Sequence, residues 1–411
     1  MKRIACIAPL LALVAPCAQA QQWLPDPALV ATAITAQPSV QAAMGRVDSA
    51  GAQARARAVG PHEVEVGVIR QVRQVDAIDG DRRYGEYEAQ VGRAFRWPGK
   101  AALDRQIGEH GKSAAELRLD DVRHQVARNL LDRWMGWLRA DELAREAEAR
   151  AESLSNERRA LGRSVELGDA AQKDLDLLDV DFAQSEAARV TANGDRAAAR
   201  AALENDFPGL PLPQRVPSVT QPGELSQNGE AWIARIVGRS HEIAAAEANA
   251  AKADALAARA RADRLPDPTI SLRVLHDRGG AERALGLVVS FPIGGRYRSA
   301  LADAESANAS ALHSDSLAMR RDIQREAEQT VRLAIQQREN WLAQQRALAA
   351  SREATRRVRR GWELGELPLS DWLLAERMYR QIALAEAAAR VDAERARLRV
   401  LVDSHELWHD E

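Results

Sequence analysis

The sequence predicts a mainly α-helical protein with a small β part, in which long coiled-coil hairpins join four amphipathic strands laid out as two copies of one plan. Composition is the first observation behind this. Of 411 residues, 46% are hydrophobic and 28% charged, but only 4% are aromatic. Abundant alanine with dense arginine and glutamate suits long packed helices, whereas a large antiparallel β-protein draws more on β-branched and aromatic residues. The second observation is an internal repeat. Arg163-Ser-Val-Glu-Leu-Gly168 returns as Arg360-Gly-Trp-Glu-Leu-Gly365, 197 residues later, and Asp174 falls on Asp371 at the same offset. Further back, Phe95-Arg-Trp-Pro-Gly-Lys100 corresponds to Phe291-Pro-Ile-Gly-Gly-Arg296. The third is a change of hydrophobic period, from two to three and four, at the same place in each copy.

Each element has its own justification. Residues 1–20 read as a secretory signal: Lys2 and Arg3, an apolar run from Ile4 to Val14, then Ala18-Gln19-Ala20 before a mature start at Gln21. Both cysteines, Cys6 and Cys17, lie in the segment removed, which leaves no thiol for disulfide, metal or nucleophile chemistry. Lipidation at Cys17 is the rival processing, and Pro16 is a poor residue to precede it. Residues 21–204 form the first repeat, with a helix over 28–59, a β-hairpin over 63–95 and a long helical hairpin over 100–203. A connector over 205–229 carries Pro208, Pro211, Pro213, Pro217 and Pro222, which forbid continuous helix. Residues 230–411 repeat the order, with a helix over 230–264, a β-hairpin over 269–291, a helical hairpin over 296–402 and a short tail.

The leading helices stop at Gly60-Pro61 and Leu265-Pro-Asp-Pro268, where proline ends a helix. In the strands, valines in Glu63-Val-Glu-Val-Gly-Val68 alternate with polar or small residues, as do Tyr87, Ala89 and Val91. The second half repeats this with Ile270, Leu272 and Val274 and with Leu285, Leu287, Val289 and Phe291. Asp79-Gly-Asp81 and Arg278-Gly-Gly280 supply the hairpin turns. Beyond them, Leu119, Val122, Val126, Leu130, Trp134 and Trp137 step by three or four, and Ala327, Ala334, Trp341 and Leu348 by seven, as coiled-coil stripes do. Some 63 residues of helix span on the order of 95 Å. Gly168 and Gly365 suit left-handed helix caps, and Arg158, Arg159, Arg163, Arg356, Arg357, Arg359 and Arg360 crowd helix ends, where positive charge is favoured.

Four strands with one apolar face cannot make a membrane barrel alone, because eight is the usual minimum and an open edge in lipid leaves backbone groups unpaired. The chain must oligomerise, and three copies give twelve strands continued out of the membrane by the helices. Trp97 and Tyr297, just past the strands, are placed for an interfacial aromatic belt against outer-membrane lipid. Pro98 and Pro292 absorb the change from strand to helix.

On the duplicated plan, on Leu265-Pro-Asp-Pro-Thr-Ile-Ser-Leu272 and Phe291-Pro-Ile-Gly-Gly-Arg296, and on the Glu-Leu-Gly turns with an aspartate six residues on, the chain resembles the TolC family of outer-membrane efflux channels over 21–411. The resemblance implies a homotrimeric twelve-stranded outer-membrane barrel on an α-helical periplasmic tunnel in a Gram-negative bacterium. It implies an exit duct rather than an enzyme, working without cofactor or bound metal beside a periplasmic adaptor (a membrane fusion protein) and an inner-membrane RND-type pump. Short length, the Leu-Pro-Asp-Pro segment and Trp97-Pro-Gly-Lys100 lean toward the subgroup that exports heavy-metal cations, against drugs and other small organics. Adaptor-docking tips then fall at Leu167, Gly168, Asp174, Leu364 and Gly365. The pore constriction falls at Asp371, with Glu366 as a second acidic ring, Leu374 where a second aspartate can stand, and Leu367 where a basic gating partner can occur.

Rival signals point elsewhere. His405-Glu-Leu-Trp-His409 matches the zinc-peptidase pattern, but only Asp410 and Glu411 follow it as third ligands. Pro98-Gly99-Lys100-Ala101 lacks the first glycine and the hydroxyl of a phosphate loop. His62, His110, His124, His241, His276 and His313 form no ligand spacing. Near-neutral charge, −2 overall, and arginines interleaved with apolar residues argue against nucleic acid. A periplasmic adaptor or coiled-coil scaffold is the remaining alternative; it would have one helical hairpin embedded in β-domains, not two at fixed offset with amphipathic strand pairs.

Overall fold

The computed structural model describes residues 23–76, 78 and 80–408. The signal segment, Gln21, both cysteines, Asp79 and His409 lie outside the described residues.

Among the described residues six α-helices and β-strands follow one another in the same order in each half: α1 (Pro27–Thr35), α2 (Pro38–Val59), β1 (Val64–Val75), β2 (Arg82–Ala94), α3 (Lys100–Glu166) and α4 (Gln172–Asp206), then α5 (Gly229–Arg239), α6 (His241–Ala262), β3 (Thr269–Asp277), β4 (Glu282–Ser290), α7 (Arg296–Glu363) and α8 (Leu369–Asp403). The leading helix of each half, expected to be single, is two. Pro38 opens α2 after extended Gln37, and the extended Ser240 caps α6 by accepting the Ile243 N–H at 3.2 Å. The alanine-rich composition carries helix straight through both breaks, so capping chemistry decides them.

The described residues form two compact units, and neither follows the sequence halves. One is made of 23–33, 132–224 and 337–395; the other of 34–131, 225–336 and 396–408. In the first, Trp134 stands edge-on to Trp137 at 5.3 Å and donates its indole N–H to the Trp23 carbonyl at 2.9 Å, while Trp341 packs on Ala389 and Ala393. In the second, Trp232 and Ile236 of α5 lie on Ala327, Val331 and Ala334 of α7 and on Ala396 and Val400 of α8. Alanine at these contacts lets helix axes approach closely, so one large residue facing small ones fills the space between them. That is why few aromatics suffice.

All four strands form one antiparallel sheet in the order β1-β2-β3-β4. The β2–β3 pairing, from Tyr87 opposite His276 to Ala94 opposite Thr269, stitches the two sequence halves together. Within the chain, β1 and β4 are the sheet's edges.

The junction from strand to helix is held by a buried cation. Lys100, the first residue of α3, is 2% exposed, and its ammonium donates to Asp267 at 2.8 Å and the Leu265 carbonyl at 2.7 Å, with Asp263 also at 2.8 Å. Three donors thus meet three acceptors, which is what a desolvated ammonium requires. Asp267 also takes His62 at 2.9 Å and the Trp97 amide at 3.1 Å. Burial by itself would raise the Asp267 carboxyl, but hydrogen bonds from Lys100, His62 and Trp97 outweigh it and hold the group below the usual carboxylate range. Residues that fail as a phosphate loop thus tie α3 to the Leu265-Pro-Asp-Pro268 loop of the other half. Lys100→Met should therefore lower stability by about 3 kcal/mol, because the largely buried Asp267 loses its cation and the Leu265 carbonyl its donor. A denaturation midpoint in detergent checks this, and adding Asp267→Asn should return part of the loss.

Candidate functional site

Two surfaces carry the chemistry, one in each unit. The first is the sheet. Val66, Val91, Leu272 and Leu287 form a cross-strand row, flanked by the row Val68, Ala89, Val274, Leu285 and by the row Val64, Arg93, Ile270, Val289. These side chains share one face because the register keeps their parity across all four strands. They are not covered: Val68 and Leu285 are each 73% exposed. The other face is the more enclosed one, with Glu86 and Ser271 buried. There Arg73 pairs with Glu86 at 2.9 Å and Asp277 at 3.2 Å, Arg273 with Glu88 at 2.6 Å, and Gln71 donates to Glu86 at 2.6 Å. A sheet whose greasy face is open on all four strands, while the buried residues of its two central strands and its ion pairs lie on the polar face, reverses the usual order in water.

Near the sheet, Tyr297 is exposed, as expected of a belt residue. Trp97 is half-buried, and its indole donates to the Pro266 carbonyl at 2.5 Å, so it also braces the junction.

The second surface is the pair of helical hairpin tips. Gly168 (φ 81°) and Gly365 (φ 75°) are left-handed, and the amide that follows each reaches back to the helix: Asp169 N–H to the Ser164 carbonyl at 2.8 Å, and Glu366 N–H to the Gly361 carbonyl at 2.9 Å. With Gly168 to Val165 and Gly365 to Trp362, both turns are complete Schellman caps. Behind them Leu154 and Leu161 of α3, Leu178 of α4 and Leu369, Trp372 and Leu373 of α8 form one buried cluster, and Trp362 of α7 stacks on Trp372 at 4.9 Å. The two tips are therefore a single packed end. Its arginines are laced to acids: Arg359 to Glu157 at 2.8 Å, Arg356 to Glu353 at 2.8 Å, and Arg158 to Asp179.

The caps present Leu167 and Leu364 outward, 77% and 56% exposed. Glu366 and Asp371 are exposed, and Asp174, the counterpart of Asp371, is half-buried. Asp371 and Leu374 stand on one exposed stripe of α8 that continues to Met378, a residue that sequence reasoning missed although its spacing of four from Leu374 was readable. Leu367 lies against Gly361 instead of reaching outward fully.

Sequence reasoning also missed a histidine cluster in the other unit. His405 stacks on His241 at 4.6 Å and meets His124 edge-on at 5.0 Å, beside Asp403, which accepts from Arg128 at 2.7 Å and Arg399 at 2.9 Å. Burial would raise Asp403, yet the His124 hydrogen bond and the charges of Arg128 and Arg399 hold it low. Residues so far apart in sequence give no spacing signal. Among the described residues no cluster of histidine and acidic groups has the geometry to hold a metal. The zinc-peptidase alternative also loses its helix: α8 ends at Asp403, and His405 is left-handed (φ 59°).

No family model and no curated protein matches the chain. Solved structures do match in fold. The chain is similar to CusC, a structure described in terms of transmembrane channel formation, at TM-score 0.74 and 16% identity over 92% of this chain and 91% of that one. It is similar to the Campylobacter jejuni CmeC outer membrane channel at TM-score 0.72 and 13% identity over 92% and 84%. It is also similar to the open state of the Neisseria gonorrhoeae MtrE outer membrane channel at TM-score 0.71 and 16% identity, over 92% and 88%. The chain has the fold of these outer-membrane channels, as the resemblance read in the sequence implies.

A Cβ at a left-handed position costs about 1–2 kcal/mol. Gly168→Val and Gly365→Val together should lower the thermal midpoint, followed by circular dichroism, and asparagine at the same positions should lower it less.

Proposed function

We propose that this chain is the outer-membrane exit duct of a tripartite export system, working as a homotrimer with a periplasmic adaptor and an inner-membrane RND-type pump. The observation that carries this reading is the reversed sheet, with its apolar face open, its ion pairs gathered on the polar face and both edges unpaired within the chain. An apolar face in lipid requires closure, and β1 of one copy pairing with β4 of the next closes three sheets into twelve strands without a free edge. The polar faces then line the lumen. The fold likeness to outer-membrane channels supports the same localisation.

A duct does no covalent chemistry, so its properties lie in what lines it. On the polar face Glu65, Glu86, Glu88, Asp277 and Glu282 outnumber Arg73, Arg82 and Arg273. In the other unit, Asp371 and Glu366 add exposed carboxylates beside the α8 turn. An acidic path favours cations over anions, and heavy-metal cations fit it better than acidic organics. Threefold symmetry brings three copies of Asp371 into one ring at the periplasmic entrance, with Leu374 one turn on as an apolar collar. The exposed Leu167 and Leu364, on caps that fix their direction, offer the adaptor's helix tips an apolar seat.

Native mass spectrometry in detergent should give three copies per particle, and a water-soluble monomer recovered without detergent would contradict the proposal. In planar bilayers Asp371→Asn should weaken cation selectivity and block by multivalent cations; unchanged values would remove Asp371 from the pore.

A further inference from the structure

Charge is sorted by face on the sheet. Within the four strands every carboxylate, including Glu86, Glu88 and Asp277, has the parity of the polar face, whereas the charged residues on the apolar face are all arginines. They also differ in company. Arg73 and Arg273 on the polar face are ion-paired, but Arg70, Arg83 and Arg283 on the apolar face have no carboxylate partner among the described residues. All three are exposed.

Their position is as regular as their charge. Arg70, Tyr87, His276 and Arg283 form the next cross-strand row beyond Val68, Ala89, Val274 and Leu285, one two-residue step or about 7 Å toward the hairpin turns. Arg83, opposite Gln74, stands two rows further out. The Arg70 guanidinium lies over the Tyr87 ring, 5.6 Å from its centroid, so the two share one face and form an amphipathic pair at the rim of the band. The opposite, helix-side boundary is built otherwise. Phe95, Phe291 and Tyr297 are exposed there, while Arg93 donates to the His62 carbonyl at 2.9 Å and Arg96 is held by Asp104 at 3.0 Å.

A guanidinium keeps its charge at every physiological pH and matches phosphate with paired donors. Unpaired arginines ringing one end of an apolar band therefore call for phosphate at headgroup depth. We propose that Arg70, Arg83 and Arg283 form a collar that binds the phosphates of anionic lipids in the leaflet on the hairpin-turn side. The proposal rests on reading the sheet as a membrane wall. Three copies would multiply the collar, and its preference for anionic lipid would be electrostatic and sensitive to salt.

The test uses the full mature chain in nanodiscs of equal phosphatidylcholine and phosphatidylglycerol, with retained lipid read by native mass spectrometry. Wild type should retain phosphatidylglycerol several-fold over phosphatidylcholine. The triple variant Arg70→Gln, Arg83→Gln, Arg283→Gln should lose that enrichment while keeping single-channel conductance, and the matching lysine variant should keep part of it. If the glutamine variant fails to fold, wild type still decides, because its enrichment should collapse at about 1 M salt, where the Debye length is about 3 Å. Inserted, conducting wild type without enrichment, or enrichment unchanged in the glutamine variant, would overturn the collar alone. Failure of wild type to insert into any bilayer would overturn the membrane-wall reading and the collar with it.

Discussion

On the membrane-wall reading of the sheet proposed above, backbone hydrogen bonding in lipid is the constraint from which the other features follow. A sheet of four strands has two edges, and each edge residue there leaves an N–H or C=O that neither water nor protein satisfies. The open apolar face makes lipid the sheet's natural solvent, and the unpaired edges make a solitary copy untenable in it. The proposed closure by symmetry would demand that every copy roll its sheet alike, and so would need a rigid strand-to-helix junction. Lys100 supplies that rigidity. Its ammonium meets Asp263, Asp267 and the Leu265 carbonyl, and it sits at a helix N-terminus, where a positive charge is disfavoured unless carboxylates surround it. The chain accepts this local penalty because one buried cation there ties both halves of the sequence to a single geometry.

Much of this was legible in residue order, for identifiable reasons. Gly168 and Gly365 are legible because glycine is the residue that a left-handed cap selects, and the strands because a period of two leaves few alternatives. The breaks before Pro38 and after Arg239 were not, since alanine-rich composition favours helix across both and a single serine or proline decides where it stops. Lys100 gave a misleading signal. A Pro-Gly-Lys run suggests phosphate, and only the fold reveals that its anions are Asp263 and Asp267, far away in sequence. His124, His241 and His405 carry no spacing at all, because a cluster assembled from α3, α6 and the turn after α8 leaves nothing periodic to read. At the tips, Leu167, Leu364 and Asp371 were readable from the repeat, whereas their joining into one end through Trp362 and Trp372 was not.

Where the two copies of the plan have diverged is informative in its own right. At the offset that aligns the turn glycines, Trp362 stands where the first copy has Val165, and Trp372 where it has Leu175. The second tip thus carries the stacked indoles that fill the shared cluster, and the first supplies the surface they fill against. Met378 likewise replaces Asp181, which in the first copy is buried and paired with Arg377 of the second at 3.5 Å. Duplication preserved the backbone while side chains took complementary roles, so the tips pack as unlike partners. An end built that way resists sliding of one hairpin past the other, because the indoles of one copy are fitted among the leucines of its neighbour.

The sheet shows the same division of labour in charge. Carboxylates and their arginine partners occupy the polar face, where each pair neutralises a charge beside the buried centre of the sheet. Arginines without carboxylates occupy the rim of the open face. Pairing Arg70 or Arg283 with a neighbouring acid would have been simple on an antiparallel sheet, since a cross-strand partner stands opposite each of them. Tyr87 and His276 stand there instead. In the proposed barrel an acid at that rim would be drawn toward hydrocarbon with any shift in the bilayer, whereas a long guanidinium arm would extend to the headgroups and leave its methylenes on the apolar band. In the proposed membrane wall, unpaired arginine would therefore set the depth of the sheet in the bilayer as well as its charge.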